Sequence, residues 1–255
     1  MSVFSVFSSG LSAFADLVAL LAELLTPLFD GGATAAAIVL FTALVRLLVH
    51  PLSRAAARGQ KARAALAPQV AKLRARHRRD PERLQRAVLE LHAKEKVSPL
   101  SGCLPSLLQV PAFFLLYQLF SSSRIGGEAN ALLDHALGGA PLGDRWTDAW
   151  SHGGPFGGAG IVYLLLFLVV AVVATLGYRL TKAQLAAAPA LAADAEALPG
   201  MAAMTRFMPL MGFLTLVTVA VVPLAAALYV VTSAAWTVAE RALLYRTPAL
   251  AASAG

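Results

Sequence analysis

Five long apolar stretches constrain the fold of this chain more than any other feature of its sequence. A helix needs about 20 apolar residues to cross the hydrocarbon core of a bilayer, and stretches of this kind lie at 33–50, 99–121, 160–179, 205–221 and 223–241. Only 14% of the residues are charged, whereas a soluble domain has about 25%. The pattern predicts an all-α polytopic membrane protein with five transmembrane helices. The last two stretches touch at Pro223, and because about 35 residues are too many for one span, we expect a tight helical hairpin rather than one kinked helix.

The distribution of basic residues predicts the orientation of these spans. Segment 51–98 carries thirteen Lys and Arg side chains against four acidic ones, whereas segment 122–159 carries two against four. Because cytoplasmic loops are enriched in Lys and Arg, the first segment is predicted to be a cytoplasmic helical hairpin and the second an extracytoplasmic loop. Five spans then place the N-terminus outside. The C-terminus lies in the cytoplasm, with a loop at 180–204 and a tail at 242–255.

Segment 1–32 has the pattern of an amphipathic helix. Serine and acidic residues recur every seven positions on one helical face, and leucines fill the opposite side. We expect this helix to lie on the outer surface of the membrane. The alternative is a sixth transmembrane span, which the two acidic residues in the middle of the segment would make costly.

The basic segment 51–98 contains a strong signal for the start of a helix. Asp80 has the chemistry of an N-cap, Pro81 suits the first helical position, and Glu82 falls in the first turn. Apolar seams on either side of this point have helical spacing. We therefore expect two antiparallel helices that meet near residue 80.

Arg46 lies inside the first predicted span, where its permanent charge has to be stabilised. An arginine stays protonated at biological pH, and placing it near the middle of a spanning helix costs about 2.5–3.5 kcal/mol. A carboxylate is the usual partner, but the five spans contain no Asp or Glu apart from Glu240 at the end of the last one. Water is the remaining candidate, so the sequence predicts a wet cavity inside the membrane.

Polar stripes on three spans could enclose such a cavity. They comprise Thr42 and Arg46 on the first span, Ser106, Gln109 and Tyr117 on the second, and Tyr229, Thr232, Ser233 and Trp236 on the last. The alternative is ordinary hydrogen bonding between helices, which hydroxyl and amide side chains make routinely in membranes. Hydroxyls and one amide cannot neutralise a cation, so Arg46 favours a hydrated groove.

Methionines form a further stripe near the fourth span, at Met204, Met208 and Met211. Thioether side chains are flexible and suit a surface that meets many different apolar segments. We therefore expect this stripe to contact client helices, with ordinary gap-filling as the alternative.

The basic hairpin carries more cations than orientation requires. The cations concerned are Arg58, Lys61, Arg63, Lys72, Arg74, Arg76, Arg78 and Arg79. Their charge favours an anionic partner, either the anionic lipids of the membrane or RNA phosphate. No aromatic residue is interleaved with them, so any contact with RNA would be to its backbone, and we expect no DNA partner. The alternative is a solvated face that only sets topology.

Several kinds of chemistry find no support in the sequence. No glycine-rich phosphate-binding motif occurs. The five histidines show no ligand spacing, and a single cysteine excludes a disulfide within the chain. We expect no cofactor, no metal and no enzymatic activity.

Specific runs of residues resemble the YidC family of membrane protein insertases. They include Arg46 followed by Pro51-Leu52, Ala67-Pro68-Gln69 at the hairpin, and the turn Asp80-Pro81. The most specific run is residues 98–117, with its Gly-Cys-Leu-Pro and Gln-Val-Pro-Ala-Phe elements. A weaker match covers 207–209 and 223–240.

The resemblance implies an insertase that inserts nascent membrane proteins and helps them fold, without nucleotide hydrolysis. It implies a groove open to the cytoplasm and to lipid, location in the bacterial cell membrane, and contacts with the ribosome and the Sec translocon. Two alternatives stay open. One is a small channel or transporter for an anion, and the other is a scaffold that docks partners through the basic hairpin.

Overall fold

The computed structural model describes residues 3–77, 80–97, 114–125, 128–151, 153–187 and 207–244. These residues are mainly helical, with two small β-hairpins. The helices are α1 (Val3–Phe29), α2 (Ala33–Arg76), α3 (Pro81–Lys94), α4 (114–121), α5 (Gly158–Ala187), α6 (Leu214–Val221) and α7 (Leu224–Leu244).

The chain divides into two compact units. The first comprises Met1–Leu48, Pro111–Leu176 and Met211–Ala239. The second comprises Val49–Val110, Gly177–Leu210 and Glu240–Gly255. Each unit is described by itself below.

Helix α1 combines a packed face with an exposed apolar face. Val18 is fully buried, and the Phe14 ring meets the Phe41 ring of α2 edge to face, with 5.8 Å between centroids. The leucines that the pattern placed opposite the acidic residues are mostly exposed, at Leu17, Leu20, Leu24 and Leu28. The predicted helix is therefore present with an apolar face available to lipid. Its position on the membrane surface stays a prediction.

Helix α2 runs without a break from the first predicted span into the basic segment. It contains 44 residues, including Pro51 and Pro68. At about 1.5 Å per residue its length is roughly twice the hydrocarbon thickness of about 30 Å, so only part of it can lie within a bilayer. Helix α3 begins as predicted, because the Asp80 carboxylate accepts a hydrogen bond of 3.0 Å from the Arg83 amide. Pro81 occupies the first helical position.

The described residues between 122 and 157, here called the β segment, form two short β-hairpins and several 3-10 turns. Strand β1 (Arg124–Ile125) pairs with β2 (Glu128–Ala129), and β3 (Ala136–Leu137) pairs with β4 (Ala140–Pro141), both antiparallel. Two glycines at positive φ, Gly138 and Gly139, form the turn of the second hairpin. The buried side chains of the segment join the core of the first unit, and they include Leu132, Ala140, Leu142 and Ala149.

The helices after the β segment differ in length. Helix α5 has 30 residues, whereas α6 has eight and follows a 3-10 helix over Met208–Phe213. The helical conformation is interrupted between α6 and α7 at the predicted position, because Val222 is extended and Pro223 follows it.

Within the described residues, two runs, Gly10–Arg76 and Gly158–Ala186, are long and apolar enough to cross a membrane. A shorter apolar helix covers Met208–Val221. Most of the second predicted span lies outside the described residues, so the count of five spans stays a prediction.

Candidate functional site

Arg46 lies on α2 in the first unit, one helical turn after Thr42. Its side chain is partly buried. The guanidinium is close enough to the Tyr229 hydroxyl of α7 for the two groups to interact electrostatically. The structure therefore brings together polar residues of the first and last predicted spans.

Helix α4 packs beside Tyr229. Tyr229 is buried, and its ring lies 5.8 Å from that of Phe120 between centroids. Tyr117, one turn earlier on α4, is partly buried and packs against the same core. Two further predicted groove residues, Ser106 and Gln109, lie outside the described residues.

Two threonines of the predicted groove direct their hydroxyl protons into their own helices. Thr42 donates to the Ile38 carbonyl and Thr232 to the Leu228 carbonyl, both at 2.7 Å. Such bonds to the preceding turn are common where a hydroxyl has no better acceptor nearby. Each oxygen can still accept hydrogen bonds. The donors of both threonines are therefore already used within their own helices, and Thr42 is buried, at 1% exposed.

Ser233 and Trp236 differ from the threonines. The Ser233 Oγ and the Trp236 Nε1 are buried and have no hydrogen-bond partner among the described residues. Ser233 is 3% exposed and lies near the Tyr229 hydroxyl without the geometry of a full hydrogen bond. A buried donor left unsatisfied costs about 1–3 kcal/mol. Ser233 and Trp236 are therefore the buried donors of this face for which the described residues supply no acceptor.

Glu240, the acid that ends the last span, has its own partner in the second unit. Its carboxylate contacts the His50 Nδ1 of α2 at 2.5 Å. The next residue, Arg241, donates to Thr181 at 3.2 Å and to Gln184 at 2.5 Å on α5. Adjacent residues of α7 thus connect its last turns to α2 and to α5.

The β segment closes the start of α7 through backbone hydrogen bonds. The Leu224 amide donates to the Asp144 carbonyl at 2.8 Å, and the Ala225 amide donates to the Leu142 carbonyl at 2.9 Å. The first amides of a helix have no acceptor within the helix itself, so these carbonyls complete its N-terminus. Tyr163 of α5 donates to the same Asp144 carbonyl at 2.5 Å.

Sequence reasoning missed this closure. It assigned the segment only an orientation, because backbone carbonyls leave no signature in the side-chain pattern. The adjacent Gly138 and Gly139 were an available signal for a tight turn.

The methionines that the structure describes are exposed. Met208 is 56% and Met211 60% exposed, so neither fills a gap in the core. Exposed apolar residues continue from them along α6, at Leu214, Val217 and Val221. Met204 lies outside the described residues.

The eight cations named above for the predicted hairpin lie on α2 where they are described, and further basic residues of the hairpin, including Arg83 and Arg86, lie on α3. Arg58, Lys61, Lys72 and Arg76 are exposed and Arg74 is partly so, while Leu66 and Ala67 between them are buried. The side chain of Arg63 and both Arg78 and Arg79 lie outside the described residues. The part of this face that can be seen is therefore one cationic helical surface.

Comparison with known proteins gives a family for the chain. The family model described as 60Kd inner membrane protein matches residues 27–250. A membrane protein insertase YidC of Anaeromyxobacter sp. (strain Fw109-5) is 40% identical over 87 residues, which are 34% of this chain and 16% of that protein. The protein of the same description from Caulobacter vibrioides (strain NA1000 / CB15N) is 36% identical over 85 residues, 33% of this chain and 14% of the relative.

A third relative, from Pelagibacter ubique (strain HTCC1062), is 42% identical over 83 residues, 32% of this chain and 15% of the relative, and is also described as membrane protein insertase YidC. The chain thus matches a small part of the length of each curated relative. The family model covers most of the chain, and the long apolar helices fit a membrane protein. The chain therefore belongs to the YidC family, whose family model is described as the 60Kd inner membrane protein.

Proposed function

We propose that this protein is a membrane protein insertase that acts on nascent membrane proteins through a groove around Arg46, without nucleotide hydrolysis. The observation that carries the proposal is the combination, in one compact unit, of Arg46 with two buried donors, Ser233 and Trp236, that have no hydrogen-bond partner among the described residues. Three curated relatives described as membrane protein insertases support it.

The groove acts on the step that limits insertion. A client helix must carry a polar tail through the hydrocarbon region, and moving polar groups out of water without new hydrogen bonds is costly. Arg46 attracts an acidic tail, and the donors on α7 bind its carbonyl or carboxylate oxygens. The apolar part of the client then partitions sideways into lipid, which supplies the driving force.

The direction of transfer follows from the closure by the β segment. The backbone bonds between that segment and the N-terminus of α7 support a groove that is closed on that side, and we expect that side to face outside the cell because of the charge pattern. Clients enter from the cytoplasm. The exposed cations of α2 receive them there, and anionic lipids, the ribosome and the Sec translocon are the partners we propose for this surface.

The test compares Arg46→Ala with Arg46→Lys in cells depleted of their own insertase. We expect Arg46→Ala to reduce insertion of a small protein with an acidic tail by about tenfold, the factor that 1.4 kcal/mol represents. Arg46→Lys keeps the charge and should retain most of the activity. Protease protection of the client tail measures insertion.

Arg58→Ala is the matched control, since it removes an exposed cation from the same helix. Equal loss in both alanine variants would favour docking through the basic surface, as in a scaffold. Full insertion of every tested client by Arg46→Ala would contradict the groove. An anion channel would instead show Arg46-dependent anion flux in vesicles that contain no client.

A further inference from the structure

Two large aromatic side chains of the β segment are exposed. Trp150 is 62% and Phe156 83% exposed. Exposed aromatic residues that lie together mark surfaces that contact something apolar. Trp is also suited to a boundary between lipid and water, because its ring is apolar and its N–H is a donor.

Trp150 is held in place by a cluster of aromatic rings. Its ring meets Trp146 at 6.1 Å between centroids. Trp146 in turn contacts Tyr163 at 5.8 Å and Phe167 at 5.4 Å, both on α5. All these contacts are edge to face. The position of Trp150 is therefore fixed relative to α5.

Phe156 is also presented by a rigid turn. It ends a 3-10 helix, Gly154–Phe156, which is preceded by Gly153 at φ 96°. The turn presses on the first residues of α5 so closely that a Cβ on Gly160 would lie 2.3 Å from the Gly154 carbonyl oxygen. No side chain fits at that point, so Phe156 projects from a turn packed directly against the helix.

The position of both rings along α5 identifies what they contact. The exposed apolar stripe of α5 starts at Ile161 and continues through Leu164, Leu165 and Leu168. Phe156 lies two residues before the first residue of α5, Gly158, and Ile161 lies in the first turn of that helix. About 20 uncharged, mostly apolar residues of α5 then precede Arg179, which matches one hydrocarbon thickness. Phe156 therefore lies at the start of this apolar stretch, and Trp150 is linked to the same end of α5 through Trp146 and Tyr163.

We propose that Trp150 and Phe156 anchor the β segment in the headgroup region of the membrane surface at which α5 begins. Lipid is the occupant because the rings continue the α5 stripe, which lipid must cover in a membrane. Aromatic residues at such boundaries are a general feature of membrane proteins. The anchor holds the Leu142 and Asp144 carbonyls against the start of α7. It requires only that α5 spans the membrane, and it does not depend on the insertase proposal.

The experiment uses the full chain in vesicles of phosphatidylcholine with phosphatidylglycerol, in which part of the phosphatidylcholine carries bromine near the carbonyl groups or near the chain ends. Bromine quenches tryptophan fluorescence on contact. The difference in emission between the native protein and Trp150→Phe reports on Trp150, and the same difference measured in the Trp146→Phe background removes the contribution of the Trp146 ring that Trp150 contacts. We expect this signal to be blue-shifted and to lose more intensity with the shallow bromines than with the deep ones.

A second reporter is Phe156→Trp in the Trp150→Phe background, which should gain emission with the same depth preference. Circular dichroism and gel filtration in detergent confirm that each variant folds. A Trp150 signal that bromine leaves unchanged and that aqueous acrylamide quenches would overturn the proposal. A signal that follows protein density in the vesicle instead of bromine would also overturn it, in favour of self-association.

Discussion

The β segment and the polar face of α7 both belong to the first unit, but they differ in whether their buried polar groups have hydrogen-bond partners. In the β segment, Asn130 is buried, and both the nitrogen and the oxygen of its side-chain amide form hydrogen bonds. It donates to the Leu119 and Ser122 carbonyls at 2.9 and 3.0 Å, and it accepts from the Leu132 amide at 3.3 Å. On α7, the Ser233 hydroxyl and the Trp236 indole N–H are buried without a partner among the described residues.

The difference indicates a structural role for the buried polar groups of the β segment and a functional role for those of α7. A complete set of hydrogen bonds stabilises one conformation, as expected of a segment that closes the groove. Unsatisfied donors lower stability, and proteins retain such costs mainly where a function needs them. This contrast supports the proposed roles, in which the β segment fixes the closed end of the groove and the α7 face binds the client.

The largest predicted effect on stability is that of Asn130→Ala. This change leaves two carbonyls and one amide without their partner, and each buried group left unsatisfied costs about 1–3 kcal/mol. Because some of them will find water, we expect the free energy of unfolding to fall by about 2–4 kcal/mol in total. Unfolding by dodecyl sulfate in detergent micelles, followed by circular dichroism, measures it.

The control for Asn130 is Asp134→Ala, an exposed residue of the same segment. It should change the free energy of unfolding by less than about 0.5 kcal/mol. If Asn130→Ala were equally mild, the hydrogen bonds of the β segment would not be what stabilises the closed end.

Gly160→Ala should have the next largest effect. The added methyl group would overlap the backbone of residues 154 and 155, so the turn before α5 must move. Overpacking of this kind costs about 1–3 kcal/mol. Gly10→Ala is the matched control, because a Cβ there meets nothing within 4 Å and alanine favours a helix by about 0.5–1 kcal/mol. Opposite shifts in melting temperature are expected, and a loss at both positions would contradict the reading of Gly160.

The sequence predicted those features that follow from local chemistry. The N-cap at Asp80 is confirmed, as is the mainly helical fold, because caps and apolar periodicity act over a few residues. Arg46 was chosen for its permanent charge inside an apolar span and Tyr229 for its helical spacing; both lie in the first unit, and their role in a groove stays a prediction.

Other features required the three-dimensional arrangement. The continuation of α2 through Pro51 depends on helix geometry around a proline, and a proline by itself more often ends a helix. The bonds from α7 to Leu142 and Asp144 join backbone groups, which every residue has, so no pattern of side chains marks them. The direction of the Thr42 hydroxyl depends on its rotamer, which helical spacing does not fix.

The smallest effect on stability, and the most informative one for function, should come from the unsatisfied donors. Ser233→Ala and Trp236→Phe each remove a donor that has no partner among the described residues, so no hydrogen bond within that part of the chain is lost. We expect the free energy of unfolding to stay within about 0.5 kcal/mol or to rise, while insertion of an acidic-tailed client falls. Thr237→Ala removes a hydroxyl already bonded to the Ser233 carbonyl at 2.9 Å, so it should leave insertion unchanged. Lower stability with full insertion in both donor variants would show that these groups serve the fold, and the contrast with the β segment would then disappear.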